Sequence, residues 1–228
     1  MYIRMIRVEN IRSISSLLWR LPTKSTSAGW HVILGDNGSG KSTFLRAIAL
    51  ALVGPNEANA LRQDWNEWLR TGQTSGLIRL SLGYDTEFDK ISGRGKVAKR
   101  FLLGVGLSFL KTENEVKLIK INYRTNNPDR HVWSGKPGWF AASYGPFRRF
   151  AGGDKDYEKI FYSNPKLAAH LSVFGESVAL SECIRWLQDL QFKKLEKHPE
   201  GKLLDKIITF VNQEGFFTTS SPPRKSIF

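Results

Sequence analysis

The sequence predicts an α/β protein organised around one glycine-rich loop. Three observations support this: the loop itself, an apolar segment directly before it and a helical pattern directly after it. The loop fits the pattern G-x-x-x-x-G-K-[ST] and consists of Gly35, Asp36, Asn37, Gly38, Ser39, Gly40, Lys41, Ser42 and Thr43. A strand, such a loop and a helix in this order are typical of proteins that bind a nucleoside triphosphate.

Each residue type in the loop has a role in binding a magnesium–nucleotide complex. The glycines let the backbone approach phosphate oxygens that a Cβ would obstruct. Lys41 carries a compact charge on a long stem, which suits the outer phosphates and makes it the candidate catalytic residue. Ser42 offers the hard oxygen ligand that Mg²⁺ prefers, and Thr43 is placed to support the α-phosphate. We therefore predict a nucleoside triphosphate and Mg²⁺ as cofactors, held by these side chains and by the backbone amides of residues 37–41.

The segments on either side of the loop fit this interpretation. Residues 30–34 form a short apolar run, which predicts a buried strand. Apolar residues then recur at helical spacing from Phe44 to Leu52, and Gly54 followed by Pro55 predicts the helix end.

Composition narrows the class of protein. The chain has 228 residues, of which 41% are hydrophobic and 24% charged, enough for one large domain or two small ones. It contains no apolar run of membrane-spanning length and no signal-peptide pattern, and its single cysteine, Cys183, excludes an internal disulfide framework. These features predict a cytoplasmic protein with no membrane partner.

The formal net charge of +13 indicates a polyanionic partner. DNA is one such partner, and its binding would weaken as salt rises. A generic basic surface or a missing acidic partner would explain the same charge. Near the chain's middle, a predicted hairpin tip carries Arg94, Lys96, Lys99 and Arg100, which fits either a solvated turn or a contact with a phosphate backbone.

The remaining pattern predicts further strands and helices. Strands are expected at 3–8 and 17–21, then in an antiparallel meander at 77–84, 101–110 and 116–121, and as a buried strand at 139–144. Amphipathic helices are expected at 57–71, at 179–197 with Cys183 as buried filler, and at 203–211.

Two segments carry a family resemblance. "IRVENIRSI" followed by "VILGDNGSGKSTFLRAIALAL" resembles the N-terminal half of RecF- and SMC-type ATPases of the ABC class. The resemblance implies a P-loop NTPase fold with a β-subdomain inserted after the first helix and a helical C-terminal segment. It also implies that Asn10, Arg12 and Ser13 lie beside the nucleotide. Ile11 stands where that family usually has phenylalanine.

The same resemblance predicts the domain organisation. Residues 1–150 would form the ATP-binding lobe with the β-subdomain at about 77–123, residues 151–215 a helical segment and residues 216–228 a disordered tail. The segment "YGPFRR" resembles what some of these ATPases carry where transporters place their glutamine loop. Because it contains no glutamine, the roles of Arg148 and Arg149 stay open.

Two motifs required for hydrolysis in this class are missing from the sequence. No apolar strand ends in an Asp-Glu pair, and no Leu-Ser-Gly-Gly signature is present. In RecF- and SMC-type proteins both motifs lie in the C-terminal half, so the chain is either an N-terminal fragment or one subunit of a split ATPase. ATP hydrolysis would then require a second half or a homologous protomer.

Three functions remain to be weighed. The leading one is an ATP-binding lobe acting on DNA in repair, chromosome handling or defence against phages. The alternative is a non-hydrolysing, nucleotide-sensing regulatory subunit that recruits a partner such as a nuclease. A free-standing P-loop kinase or GTPase is disfavoured by the strand-rich insert and by the absence of an Asn-Lys-x-Asp motif. The four histidines are scattered, so no zinc site is predicted.

Overall fold

A computed structural model describes residues 1–22, 27–85, 87, 89, 102–123, 127–134, 138–146, 157, 159–160, 163–175 and 181–213. The described residues up to 175 belong to one compact unit, and residues 181–213 belong to a second. The basic hairpin tip at 94–100, Arg148, Arg149 and the tail at 216–228 lie outside the described residues.

The first unit is built on one antiparallel sheet. Its strands are β1 (Tyr2–Ile11), β2 (Ile14–Arg20), β3 (Ser75–Gly83), β4 (Leu102–Lys111) and β5 (Val116–Lys120), in the spatial order β2-β1-β3-β4-β5. The predicted meander is therefore present. It continues the sheet that β1 and β2 begin, because β3 pairs with β1 from Tyr2 opposite Gly83 to Glu9 opposite Leu77.

Alternation along the strands gives the sheet one buried face and one partly open face, termed the open face, on which Ile121 and Tyr123 lie against Gly106. Ile6 and Val8 on β1 and Ile78 and Leu80 on β3 are all buried, at two-residue spacing. The helix that follows the glycine-rich loop, α1 (Lys41–Val53), belongs to the same core, and its Leu50 is fully buried. The packing of α1 against the sheet thus fixes the position of the glycine-rich loop that precedes the helix.

Helix α1 ends where the sequence predicts. Gly54 adopts φ 93°, and its amide donates to the carbonyl of Leu50 at 3.0 Å. A Cβ at this position would come within 2.7 Å of the ring of Trp133. Glycine is therefore required for both the backbone conformation and the packing.

The predicted helix at 57–71 is wrong. This region contains the short helix α2 (Pro55–Ala58) and the 3₁₀ turns Asn59–Leu61 and Trp65–Glu67. Arg62 interrupts the helical path with φ 52°, and Trp68 is fully buried in a stacked contact with Phe109. Tertiary packing of the tryptophan outweighs the local helical spacing.

The predicted strands at 30–34 and 139–144 are also wrong. Neither segment is assigned to a strand, and both expose large apolar side chains. Trp30 is 99% exposed, Leu34 88% and Phe140 82%. A strand needs a neighbouring strand for its backbone groups, and no strand in the described part of the chain pairs with either segment.

Helices complete both units. The first unit contains α3 (Pro128–His131) and α4 (Pro165–Leu171), which begins with the Asn164 side chain accepting from the Leu167 amide. The second contains α5 (Ser181–Leu195), a 3₁₀ turn (Pro199–Gly201) and α6 (Lys202–Val211). Cys183 on α5 is exposed, so its predicted burial is wrong. No helix among the described residues is long and apolar enough to cross a membrane.

Candidate nucleotide site

The glycine-rich loop forms a tight, exposed turn at the start of helix α1. Gly38 and Gly40 both adopt left-handed φ values, 79° and 99°, which glycine tolerates best. The Ser39 amide donates to the carbonyl of Asp36 at 3.2 Å and closes the turn. A Cβ at Gly35 would lie 2.7 Å from the Ser39 Oγ, so a side chain there would require the Ser39 hydroxyl to move.

Lys41 is held by its own loop. Its ammonium donates to the carbonyls of Gly35 at 2.7 Å and Asp36 at 2.6 Å. An ammonium has three N–H donors, so the loop carbonyls engage two of them. This arrangement fixes the charge above the turn and leaves one donor for an anion.

The first turn of α1 adds a second source of positive potential. Helix α1 begins at Lys41, its cap residue Gly40 contributes no side chain, and its first turn contains no acidic residue. The free amides and the helix dipole therefore face the loop without competition from a carboxylate. Ser42 is exposed at this end, while Thr43 is 8% exposed.

The turn between β1 and β2 brings Ser13 to the glycine-rich loop. A Cβ on Gly40 would come within 2.9 Å of both the Ser13 Oγ and the Ile14 Cγ1. The two segments are thus in direct contact at Gly40, the cap residue of α1.

Asn10 and Arg12 are placed differently from Ser13. The Asn10 amide group donates to the carbonyl of Ser75 at 3.1 Å. The Arg12 guanidinium lies over the Trp68 ring, 4.9 Å from its centre. Burial and the neighbouring charge of Arg46 lower the pKa of Arg12. Both residues have positive φ values, 54° and 47°, which are uncommon for residues with a side chain.

Comparison with known proteins decides the family. A family model described as an AAA domain matches residues 5–215, a span that includes both the loop and the β1–β2 turn. The chain belongs to the AAA domain family. This membership confirms the sequence-based recognition of a P-loop ATPase domain and its predicted fold class.

Two individual matches cover smaller parts of the chain. Septu protein PtuA from Bacillus mycoides (strain KBAB4) is 35% identical over 83 residues, which are 36% of this chain and 12% of that protein. The chain therefore matches only a small part of its curated relative's length. A solved structure from work on the ATP-driven dimerization and DNA-stimulated activation of SMC ATPases is 16% identical, with a TM-score of 0.37. It covers 54% of this chain and 73% of its own.

Two arginines that the sequence did not single out belong to the surroundings of this AAA domain's loop. Arg70 donates from Nη1 to the carbonyls of Ser13 at 2.8 Å and Arg12 at 3.2 Å. Arg46, on α1, donates from Nε to the carbonyl of Val173 at 2.8 Å. Their partners lie 57, 58 and 127 positions away, so no local pattern could reveal them.

A cavity of about 900 Å³ opens beside the loop of the AAA domain. Gly35, Ser39 and Lys41 line one end, while Trp19 and Ile48 are among the apolar residues that line the rest. The site therefore combines a polar, positively charged end with an apolar groove. Chemically, its polar end can bind and neutralise a polyphosphate.

Proposed function

We propose that this chain is the MgATP-binding lobe of a two-part SMC/RecF-like ATPase. The observation that supports it best is the loop geometry: Lys41 is fixed at the open N-terminus of α1 with one donor available. Lys41 and the amides of residues 37–41 would neutralise the phosphates. The exposed Ser42 hydroxyl would ligate Mg²⁺, and Thr43 would support the α-phosphate from its position in the helix.

Hydrolysis by this site would require residues from a second half or a homologous protomer. The sequence contains no strand ending in an Asp-Glu pair to position Mg²⁺ and water. The exposed side chains of Val32, Ile33 and Leu34 support the same proposal, since runs of Val, Ile and Leu are typical of strands flanked on both sides in a parallel sheet. A partner that supplies such strands would cover them.

The open face of the sheet supports DNA as a further partner. Arg7 lies directly opposite Arg79 across β1 and β3, and Arg20 lies opposite Met5 on the same face. Glu9, which pairs with Arg7 at 2.5 Å, is the only carboxylate within the described strands. We infer that this face contacts the DNA backbone, in repair, chromosome handling or defence against phages.

A nucleotide-sensing subunit without turnover is the second candidate. The exposed segments at 30–34 and 139–144 favour it equally, because they would bind an effector protein such as a nuclease as well as a catalytic half. In that case ATP binding would change the affinity for the effector and ATP would remain intact.

MgATP binding and turnover by the purified chain test the proposal, with Lys41→Ala as the control. We expect binding to be lost in the control and no turnover by either protein. Turnover that disappears in Lys41→Ala would contradict the two-part proposal, because the chain would then hold its own catalytic carboxylate. Absence of MgATP binding by the unmodified chain would contradict the nucleotide function itself.

A further inference from the structure

The turn between β1 and β2 has a strained backbone. Asn10 and Arg12 both adopt left-handed backbone conformations although neither is glycine. Such conformations persist only where surrounding contacts enforce them, and they cluster at functional sites. Neighbouring contacts must therefore hold this turn in place.

One short segment, residues 68–70, braces the turn. The Arg12 amide donates to the carbonyl of Trp68 at 2.8 Å, and the Arg70 amide donates to the carbonyl of Asn10 at 3.0 Å. Ile11 and Leu69 form an isolated antiparallel bridge between these bonds. These backbone contacts do not depend on the side chain at position 70.

The Arg70 guanidinium adds side-chain hydrogen bonds to the backbone contacts that hold the turn. Its Nη1 donates to two consecutive carbonyls, those of Arg12 and Ser13, at the corner of the turn. Ser13 is the residue that lies against Gly40, the cap of α1. The guanidinium thus joins the segment at 68–70 to the residue that contacts the glycine-rich loop.

The other side of the brace is fixed in the core. Trp68 is fully buried, stacks on Phe109 with ring centres 5.9 Å apart and lies beneath the Arg12 guanidinium. Arg70 itself is only partly buried. Its side chain can therefore be altered without removing a core residue, which separates positioning from folding.

We infer that Arg70 is a positioning residue that holds Ser13 against Gly40 and thereby sets the affinity of the glycine-rich loop for polyphosphate. This inference rests on the proposed MgATP-binding function. Loss of the Arg70 bonds lets the turn relax, and the loop then loses the contact that fixes the start of α1. Binding must then also order the loop, and the cost of that ordering reduces the net binding free energy and lowers the affinity for polyphosphate.

The test compares three variants with the unmodified chain. Arg70→Met keeps the apolar stem and removes the donors, Arg70→Lys restores a charged donor, and Arg185→Met removes an exposed arginine from α5 in the other unit. We expect Arg70→Met to weaken both MgATP and tripolyphosphate binding by about tenfold, the scale of a lost charge-assisted hydrogen bond. Arg70→Lys should recover part of the affinity, and Arg185→Met should bind as the unmodified chain does.

Hydrogen exchange separates positioning from a general loss of stability. In Arg70→Met, we expect faster amide exchange at residues 36–42 as well as at 10–13, while the sheet amides of β3 and β4 keep their protection. Unchanged MgATP affinity in Arg70→Met would overturn the inference. If that variant does not fold, Arg70→Gln replaces it with the same criterion. Failure of the unmodified chain to bind MgATP would instead refute the proposed function.

Discussion

The hydroxyl of Ser143 and the Nδ1 atom of His170 lie 2.8 Å apart. His170 is 1% exposed on helix α4, and its other ring nitrogen is buried without a partner among the described residues. Burial, and secondarily the charge of Lys166, lower the pKa of His170 to about 4. The histidine is therefore neutral in the folded chain at physiological pH.

Acid should destabilise the fold through this histidine. The unfolded chain binds a proton near pH 6.5, whereas the folded chain does so only near pH 4, so stability is lost as pH falls between these values. The loss should approach about 3 kcal/mol. Urea unfolding at pH 7 and pH 4.5 measures it. His170→Gln should flatten this pH dependence, while His198→Asn in the other unit should retain it; an equal slope in all three proteins would contradict the assignment.

Gly40 should tolerate no side chain. Gly40→Ala would place a Cβ 2.9 Å from Ser13 and Ile14, in addition to the cost of φ 99°. Gly72→Ala is the matched control, since Gly72 has φ 82° but nothing within 4 Å of an added Cβ. The control should lose about 1 kcal/mol of stability. Gly40→Ala should lose more and should also bind MgATP weakly, as measured by thermal unfolding and titration. MgATP affinity equal to that of Gly72→Ala would show that the contact with Ser13 is not required.

MgATP should stabilise the chain against heat. At a ligand concentration 100 times Kd, binding adds about 2.7 kcal/mol, which raises the unfolding midpoint by roughly 5 to 10 °C for a chain of this size. Removing Mg²⁺ with excess chelator should reduce the shift, because the Ser42 hydroxyl then has no cation to ligate. Differential scanning fluorimetry with and without chelator checks this, and a shift that persists in Lys41→Ala would mean that the nucleotide binds elsewhere.

DNA binding should depend on the open face of the sheet. Replacing Arg7 and Arg79 by glutamine should lower the slope of log affinity against log salt by about one for each phosphate contact removed. Arg185→Gln, which removes one arginine in the other unit, is the control and should leave the slope unchanged. Fluorescence anisotropy of a labelled duplex between low and moderate salt provides the measurement. A slope unaffected by Arg7 and Arg79 would place the DNA contact on another surface.

The parts of the structure that local chemistry determines were predictable. The glycine-rich loop, the start of α1 at Lys41 and its end at Gly54 depend on residues close in sequence. The strands of the meander also follow from alternation, which is visible in Ile78, Leu80 and Leu82.

The parts of the structure that depend on residues distant in sequence were not predictable. Residues 30–34 have the composition of a buried strand, but composition does not supply the strands that must pair with them. Cys183 lies on a correctly predicted helix, yet its burial depends on which face of that helix meets another element. Arg70 lies beside the site because it donates hydrogen bonds to carbonyls 57 and 58 positions away, and no spacing rule predicts such a contact.

The position of β1 between β2 and β3 orders the events of folding. Strands β3, β4 and β5 follow one another in the sheet, so they can pair early at small cost in loop closure. The pairing of β1 with β3 must instead close a chain segment that contains β2, the glycine-rich loop and α1. Asn10 and Ser75 meet only when that closure is complete. A chain emerging during synthesis therefore completes the β1–β3 pairing, and with it the contact between Asn10 and Ser75, only after β3 has been made, well after the loop residues themselves.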